Sequence, residues 1–444
     1  MFRPSQAWLE GILAESLAGV HAGAAVRRVL ERDSSGSLSL AGRALPQAAG
    51  LWVAAMGKAA APMASAFAVA ARDRLREGMA ITCDGHERPL PASISLQLAG
   101  HPVPDSRGEE AARQMLDLVS RIPEDDVLVV LLSGGASALT SLPSPGLALS
   151  DLIEATRLLL ASGADIHAMN AVRKHCSAFS GGRLALAASC SRIEVLIVSD
   201  VRGDALPTIG SGPCTGDSTT YADAVSVIDR FGLRASFPVD LLEHLEAGAR
   251  GERPESPGPE HPALERVHAT LVARNSTARV AAAAAAAAQG VQVLDLGEVL
   301  GGEARVAGRR LAALARSIRC KGPALLIAGG ETVVTLSGSG RGGRSQELAL
   351  AAALEWDRGA CDRATVMLAV GTDGADGPTD AAGAYVEAGL FHGKPTTRDE
   401  ASRRLADNDS YGFFEKLGGL VRTGPTDTNV MDLVLIQIEG PDPG

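Results

Sequence analysis

The chain has 444 residues, of which 46% are hydrophobic, and its net charge is −10 at neutral pH with a pI near 5.5. This length and composition predict a globular protein with two domains, or three small ones, each with its own core. The acidic balance argues against nucleic acid or an anionic membrane surface as a partner, so an anionic ligand has to be bound by a few focused cations. The longest apolar run, 280–288, is too short to span a bilayer.

The first twenty residues carry charges within an apolar stretch, which predicts an amphipathic helix and not a signal peptide. We therefore expect the protein in the cytoplasm. Six cysteines lie far apart without a C-x-x-C pair, which is typical of reduced thiols. The adjacent His175 and Cys176 are not expected to form a nucleophilic pair, because neighbours on a helix point away from each other.

Strand-like runs alternate with helical ones along the chain. The runs 51–56, 127–132 and 195–199 each end in a loop that contains Gly, Ser or Asp. This alternation predicts an α/β fold with a mostly parallel sheet covered by helices. The segment 248–262 is rich in Pro, Gly and charge, so we place a boundary there between an N-terminal domain, 1–250, and a C-terminal domain, 263–444.

In open α/β sheets, ligands bind beyond the carboxyl ends of the strands, so the residues after each strand are the first candidates. Lys58 follows the first run and stands at the start of a helix beside Gly57. The loop is not a Walker motif, because Trp52 occupies the position of its first glycine. The first turn of a helix is unfavourable for a cation, which favours a phosphate-binding role for Lys58 over a solvated one.

The loop SGGASAL, 133–139, follows the second run and consists of small residues. Small residues let a helix N-terminus approach a phosphate closely, which makes Ser133, Gly134, Gly135 and Ser137 candidates for cofactor binding. Tight packing of the helix on the sheet explains the same composition equally well. The two interpretations stay open at this stage.

Two aspartates stand at strand ends beside flexible loops. Asp200 follows the run 195–199, and Asp373 follows the run 365–370 in the loop GTDGADGPTDAAG. Both are candidates to bind Mg²⁺, and Asp200 is also a candidate to act as a base. Helix capping and turn formation are the alternatives, and the spacing of the second loop does not match a calcium loop.

A basic cluster at 169–185 contains Arg173 and Lys174 within an acidic protein. Such a cluster suits a small carboxylate substrate, so both residues are candidates for substrate binding. An exposed helix face followed by a Gly-Gly turn is the alternative, and this stretch alone slightly favours it.

The segment GSGRGG, 338–343, matches G-x-G-x-x-G, the fingerprint of dinucleotide-binding folds. A strand is expected before it at 331–337 and a helix after it at 345–354, but the acids near the distance that a ribose needs, Glu355 and Asp357, fall at the end of that helix, before the next strand begins. A glycine-rich turn that binds no ligand is the alternative. The two arginines indicate a different anion site, in which the amides of Gly340, Gly342 and Gly343 bind the cofactor. Arg344, at the helix start, is expected to be the anion clamp, and Arg341 to lie nearer the rim. Replacing Arg344 is expected to leave the fold intact.

Taken together, these loops resemble the glycerate 2-kinase family, whose C-terminal part is the MOFRL domain and which was formerly labelled hydroxypyruvate reductase. The resemblance extends in order over nearly the whole chain, with the stretches AMGKAA at 55–60, GHPVPD at 100–105, LSGGASAL at 132–139, NAVRKH at 170–175, SGPCTGDSTTYADA at 211–224, GGETVVTLSGSGRGGRSQE at 329–347, GTDGADGPTDAAGA at 371–384, NDSYGFF at 408–414 and TGPTDTNVMDL at 423–433.

The resemblance implies ATP-dependent phosphorylation of D-glycerate at its 2-hydroxyl with a divalent metal. It also implies a Rossmann-like N-terminal domain, a smaller α/β C-terminal domain, and an active site in the cleft between them. Under this interpretation Lys58, Arg344 and Asp200 are catalytic, Arg341 joins the substrate-binding residues, and a homodimer is left open. The alternatives are an NAD(P)H-dependent hydroxypyruvate reductase and a non-catalytic metabolite sensor.

Overall fold

The computed structural model describes residues 5–71, 73–359 and 363–440, so Cys361 lies outside the described residues. The chain divides into two compact units, 22–272 and 1–21 with 273–444. This division differs from the expected boundary in two places. The first helix, α1 (Gln6–Val20), is grouped with the C-terminal part of the chain, and the segment 251–272 is grouped with the N-terminal part.

The unit 22–272 alternates strands and helices along most of its length. Its helices are α2 (Ala22–Val29), α3 (Ala60–Ala71), α4 (Ser106–Ser120), α5 (Ala136–Leu139), α6 (Leu149–Ala161), α7 (Ile166–His175), α8 (Arg183–Ala187), α9 (Tyr221–Arg230) and α10 (Val239–Ala249). Its strands are β1 (Leu30–Arg32), β2 (Leu38–Leu40), β3 (Arg43–Ala44), β4 (Leu51–Met56), β5 (Leu75–Cys83), β6 (Ile94–Ala99), β7 (Val127–Leu132), β8 (Arg192–Val198) and β9 (Val267–Ala273).

The main sheet of this unit has six strands in the order β6-β5-β4-β7-β8-β9, and the pairs from β6 through β8 are parallel. The predicted runs 51–56 and 127–132 coincide with β4 and β7. Every residue of β7 is buried, as expected for a strand covered by helices on both faces. Because β5 lies on one side of β4 and β7 on the other, the direction of strand addition reverses between β4 and β7. Ligands of open α/β sheets bind at such a switch point, beyond the carboxyl ends of the strands.

The unit of 1–21 and 273–444 has a mixed sheet. Its further helices are α11 (Asn275–Ala287), α12 (Ala304–Ser317), α13 (Arg344–Arg358), α14 (Pro395–Ala406) and α15 (Ser410–Leu417). Its strands are β10 (Gln292–Asp295), β11 (Ala324–Gly330), β12 (Thr365–Gly371), β13 (Gly383–Glu387), β14 (Leu420–Val421) and β15 (Asp432–Ile438), in the order β10-β11-β15-β12-β13-β14. β15 pairs antiparallel with both β11 and β12.

Close helix packing explains why α1 belongs to this second unit. A Cβ atom on Gly19 would lie 2.6 Å from the Cβ of Ala281, so α1 approaches the alanine-rich α11 at a distance that only small residues allow. Leu9 and Ile12 of α1 are buried in the same core as Leu325 and Leu435. The alanine run is therefore part of a packed helix.

The predicted fold class, α/β with a mostly parallel N-terminal sheet and a second α/β domain, is confirmed. The strand expected at 331–337 is wrong, because β11 ends at Gly330 and only Val333 pairs further on, in an isolated bridge with Glu303. Among the described helices, none is long and apolar enough to cross a membrane.

Candidate active site

The loops after β4 and β7 are joined by hydrogen bonds at the switch point of the parallel sheet. Met56 pairs with Leu132, so the two loops begin level with each other. The amide of Ala59 donates to Ser133 Oγ at 3.0 Å, and the amide of Lys58 donates to the Gly134 carbonyl at 2.9 Å. These bonds fix the backbone of Lys58 at the carboxyl edge of the sheet.

The close contact between the two loops requires a glycine at position 57. Its φ is +116°, a conformation that side chains rarely adopt, and a Cβ there would collide with the Ser133 hydroxyl and carbonyl. The close approach of the two strand ends therefore explains why a glycine precedes Lys58. The lysine follows at the point where the chain leaves the sheet.

Ser133 and Gly134 have a different role from the predicted one. Ser133 is 1% exposed, and its hydroxyl accepts the Ala59 amide inside the protein. The Gly134 carbonyl accepts the Lys58 amide, and the residue is buried. The Ser133 hydroxyl is therefore used inside the protein, where it positions the Lys58 loop, and is not directed at a cofactor. The Gly134 carbonyl has the same internal role, and cofactor binding by the Gly134 amide stays a prediction.

Gly135 and Ser137, which were also predicted to bind the cofactor, line a pocket, and their cofactor binding stays a prediction. Gly135 has a φ of +85°, and a Cβ there would lie 3.1 Å from the His101 ring and 3.4 Å from Lys58 Cγ. The pocket has a volume of about 280 Å³ and lies within the unit 22–272. His101 is a lining residue that the sequence analysis missed, although its motif GHPVPD was noted.

Arg173 also lines this pocket. Its Nη2 donates to the Ser137 carbonyl at 3.3 Å, and within the described parts of the chain no carboxylate is paired with it. Burial lowers the pKa of Arg173 from its ordinary value, but a guanidinium keeps its charge at neutral pH. A half-buried arginine without an acidic partner is suited to an anionic ligand.

Lys174, the next residue, was predicted to bind substrate and does not reach the pocket. It is buried, and its Nζ lies 3.4 Å from Oδ1 of the buried Asp217. Successive residues of a helix point in different directions, so α7 presents Arg173 to the pocket and Lys174 to the interior. We correct the prediction accordingly: Lys174 belongs to an internal ion pair.

Asp200 and Asp373, the two predicted metal ligands, each follow a strand, as the sequence indicated. Both are half-buried. Asp200 follows β8 in the unit 22–272, and Asp373 follows β12 in the other unit. Asp373 Oδ1 also accepts the Ala375 amide at 3.1 Å, which is the turn-forming role named as an alternative. In the described residues, no group of three or more His, Cys, Asp or Glu side chains is arranged to hold a metal ion.

The glycine-rich loop 338–343 packs against the segment 407–409 of its own unit. Amides along the loop donate to this segment: Gly338 to Asn408 Oδ1, Ser339 to Asp407 Oδ1, Gly340 to the Asp407 carbonyl and Arg341 to Asp409 Oδ1. A Cβ on Gly340 or Gly342 would collide with residues 407–410, and one on Gly343 would collide with Asp376. Close packing explains these glycines, so the amide of Gly340 is corrected from a cofactor donor to an internal one.

The N-terminus of α13 is occupied by a carboxylate of the protein. The amides of Ser345 and Gln346 donate to Asp376 Oδ1 and Oδ2 at 3.0 Å and 2.8 Å. Burial raises the pKa of Asp376 to about 6, and the two amides oppose that rise. Because a side chain fills the position where a pyrophosphate would bind, the dinucleotide interpretation of GSGRGG fails on this geometry as well.

Arg344 is held by two carboxylates and is not a free clamp. Its Nε and Nη2 bind the buried Asp432 at 2.7 Å and 2.9 Å, and its Nη1 lies 2.5 Å from Glu331 Oε1. Burial raises the pKa of Asp432, whereas the Arg344 guanidinium opposes the rise. The premise that Arg344 is a surface-loop residue with little effect on stability does not agree with these contacts, because its loss would leave a buried carboxylate unpaired.

Arg341 is near the surface, as predicted. Its guanidinium stacks over the Tyr411 ring at 3.8 Å, and its side chain is 53% exposed. A cation–π contact of this kind orders the side chain, and Arg341 Nη2 also lies 3.8 Å from Glu415 Oε1. A role in substrate binding stays a prediction.

Two family models match the chain: a domain of unknown function (DUF4147) at residues 8–246 and the MOFRL family at residues 324–432. The chain is 39% identical to a glycerate 2-kinase of Pyrococcus horikoshii, over 87% of this chain and 86% of the relative. The chain belongs to the glycerate 2-kinase family. It is also 41% identical to an Agrobacterium vitis protein that is provisionally named a hydroxypyruvate reductase, over 87% and 86% of the two chains.

The fold agrees with the family. The crystal structure of a glycerate kinase from Thermotoga maritima matches with a TM-score of 0.82 at 34% identity, covering 96% of this chain and 98% of that one. Asp376, Asp432 and Glu331, which the sequence analysis did not assign, lie in stretches that it had attributed to the glycerate 2-kinase family. Their partners are distant in sequence, so only the motif matches could have drawn attention to them.

Proposed function

We propose that the protein is a glycerate 2-kinase that transfers a phosphoryl group from ATP to the 2-hydroxyl of D-glycerate, giving 2-phosphoglycerate and ADP. Family membership supports this activity. The structural observation that supports it is that hydrogen bonds fix the backbone of Lys58 at the switch point of the sheet, beside the pocket that Arg173 lines. Phosphoryl transfer depends mainly on positioning and charge, which these residues supply.

The proposed roles follow from charge and place. Lys58 meets the transferring phosphoryl group as a point charge, because hydrogen bonds fix its loop at the carboxyl edge of the sheet. Arg173 receives an anionic group in the pocket, and Asp200 orients the hydroxyl or binds the metal. Arg344, oriented by Asp432, keeps its proposed catalytic role, and Arg341 keeps its proposed role in substrate binding.

A divalent cation such as Mg²⁺ is part of the proposal. Held by Asp200 or Asp373, it would supply positive charge that neutralises the phosphate oxygens of the nucleotide. Mg²⁺ is usually held by one or two carboxylates together with substrate phosphates, so the absence of a larger acidic cluster among the described residues is compatible with it. The half-buried Asp200 and Asp373 have the required oxygen ligands.

A hydroxypyruvate reductase is the second candidate, since the Agrobacterium vitis relative carries that name. Asp376 at the N-terminus of α13 argues against it, because a nicotinamide dinucleotide would need that position for its pyrophosphate. A metabolite sensor without activity would need neither the pinned lysine nor metal-binding carboxylates.

One assay separates these candidates. Purified protein is supplied with D-glycerate, ATP and Mg²⁺, and the product is detected with enolase, which consumes 2-phosphoglycerate directly and not the 3-phosphate isomer. Parallel reactions contain hydroxypyruvate with NADH or NADPH. Glycerate-dependent product is the expected result, whereas oxidation of the nicotinamide cofactor without any ADP formation would refute the kinase.

A further inference from the structure

The pocket beside Gly135 has walls of two kinds. On one side, Arg173 and Ser137 are linked by a hydrogen bond next to the carboxyl end of β7. On the other side, Leu152, Thr156 and Leu160 of α6 line the pocket at intervals of four residues, so they form one stripe on that helix. A cation and hydroxyls therefore stand near the sheet, and a mainly apolar stripe forms another part of the wall.

The volume is larger than a small acid needs. About 280 Å³ is close to the roughly 300 Å³ at which pockets for drug-sized ligands begin. Glycerate, a three-carbon hydroxy acid, would fill only part of this volume and would leave the apolar stripe in contact with water. A ligand that uses the whole pocket needs an apolar body as well as an anionic group.

The apolar stripe is more open to solvent than its side chains alone would favour. Leu160 is 59% exposed, and the partly buried Met169 of α7 lines the same pocket. Thr156 donates its hydroxyl to the Leu152 carbonyl at 2.8 Å, so its oxygen can still accept a hydrogen bond from a ligand N–H. A flat, apolar ring with an amino group matches this wall.

From these contacts we propose that the pocket binds the adenosine moiety of the nucleotide, with the base against Leu152, Thr156 and Leu160. The phosphate chain passes Arg173 and Gly135 and leads to Lys58, whose Cγ would lie 3.4 Å from a Cβ on Gly135. This assignment rests on the proposed kinase function, since it names the subsite for that enzyme's nucleotide. It makes Arg173 a phosphate ligand and leaves glycerate outside the apolar part of the pocket.

Equilibrium binding tests the assignment independently of turnover. Calorimetry measures adenosine, ADP and D-glycerate separately on the wild-type protein and on Thr156→Trp, which fills the pocket from α6. Arg157→Trp is the matched control, because Arg157 is the next residue of the same helix, is exposed, and does not line the pocket. Leu160→Asn removes apolar surface at an exposed position, so it tests the wall without a risk to folding.

We expect Thr156→Trp to raise the dissociation constants of adenosine and ADP by about tenfold or more, and Leu160→Asn by about threefold, from the lost apolar contact. The dissociation constants of adenosine and ADP for Arg157→Trp should stay within about twofold of wild type, and so should the dissociation constant of D-glycerate for every variant. Unchanged adenosine binding in the folded Leu160→Asn and Thr156→Trp proteins would overturn the assignment. A rise in the glycerate constant as large as that of ADP would overturn it too, because the pocket would then hold the acceptor. Adenosine binding that follows this pattern in a protein without glycerate-dependent ADP formation would support the subsite and refute the kinase.

Discussion

Ser133→Ala separates the positioning of Lys58 from its charge. Ser133 Oγ accepts the amide of Ala59 at 3.0 Å, and both residues are buried. Without the hydroxyl, the Ala59 N–H has no acceptor there, and an unsatisfied buried donor costs about 1–3 kcal/mol. The chain can relieve this cost by shifting the loop that carries Lys58.

Such a shift should affect catalysis more than the hydrogen-bond energy alone suggests. A displacement of about 1 Å at a reacting group can lower the rate by about a hundredfold, so we expect kcat/KM for ATP and glycerate to fall by about ten- to a hundredfold. Hydrogen exchange measured by mass spectrometry should show faster exchange in the peptide that contains Ala59. Steady-state kinetics and exchange are measured on the same preparations.

Ser16→Ala is the matched control. Ser16 is also fully buried, and its Oγ donates to the Ala278 carbonyl at 2.8 Å in the other unit. Its loss should cost a comparable free energy of unfolding, about 1 kcal/mol or more, with kcat/KM unchanged. If Ser133→Ala keeps wild-type kcat/KM while exchange at Ala59 accelerates, the Ser133 bond does not position a catalytic lysine and the proposed role of Lys58 loses its structural basis.

Four further predictions follow from the site. Lys58→Met should lower kcat by about a hundredfold or more, as expected for one lost transition-state contact, and near-normal kcat in a folded variant would place this lysine outside the site. Arg344→Ala should cost about 3 kcal/mol or more in denaturant unfolding, because it leaves Asp432 buried and unpaired, whereas Arg341→Ala should cost less than about 1 kcal/mol; equal losses would contradict the pairing. The pKa of Asp376 is about 6 in the folded state against 3.8 ordinarily, so the folded state binds more protons between these pH values. The contribution of Asp376 to the free energy of unfolding should therefore decrease as pH rises from about 4 to 6. Unfolding of the wild-type protein and of Asp376→Asn is measured across that range, and a difference in free energy of unfolding that does not change with pH would refute the prediction. Asp200→Asn should require a severalfold higher Mg²⁺ concentration for half-maximal rate, about two- to tenfold, and an unchanged requirement would remove Asp200 from the metal site.

The parts of the site that the sequence predicted are those that depend on neighbours in the chain. Gly57 and Lys58 at the end of β4, and Gly135 and Ser137 after β7, could be identified because a strand end and the loop after it are adjacent in sequence. The parallel sheet was predictable for the same reason, since buried parallel strands such as β7 are continuous apolar runs.

The corrections concern contacts between distant residues. Arg344 and Asp432 are 88 positions apart, and Ser339 reaches Asp407 across 68 positions. A glycine-rich loop has the same sequence whether its amides bind a phosphate or another segment of the protein, so the pattern GSGRGG could not distinguish the two. The same holds for Arg173 and Lys174, whose directions depend on how α7 is docked.

The sequence by itself therefore determined the alternation of strands and helices and the loops at the carboxyl edge of the first sheet, because periodicity and local glycine and lysine positions encode them. The family followed from motif stretches that resemble the glycerate 2-kinase family. Only the tertiary structure decided which polar groups are already satisfied within the protein. Ser133, Lys174 and Asp376 are occupied internally, while Arg173 faces a pocket without an acidic partner among the described residues. Packing between segments far apart in the chain sets which hydrogen-bond partners meet. Because a buried polar group without a partner is costly in free energy, these pairings are strongly favoured in the folded state.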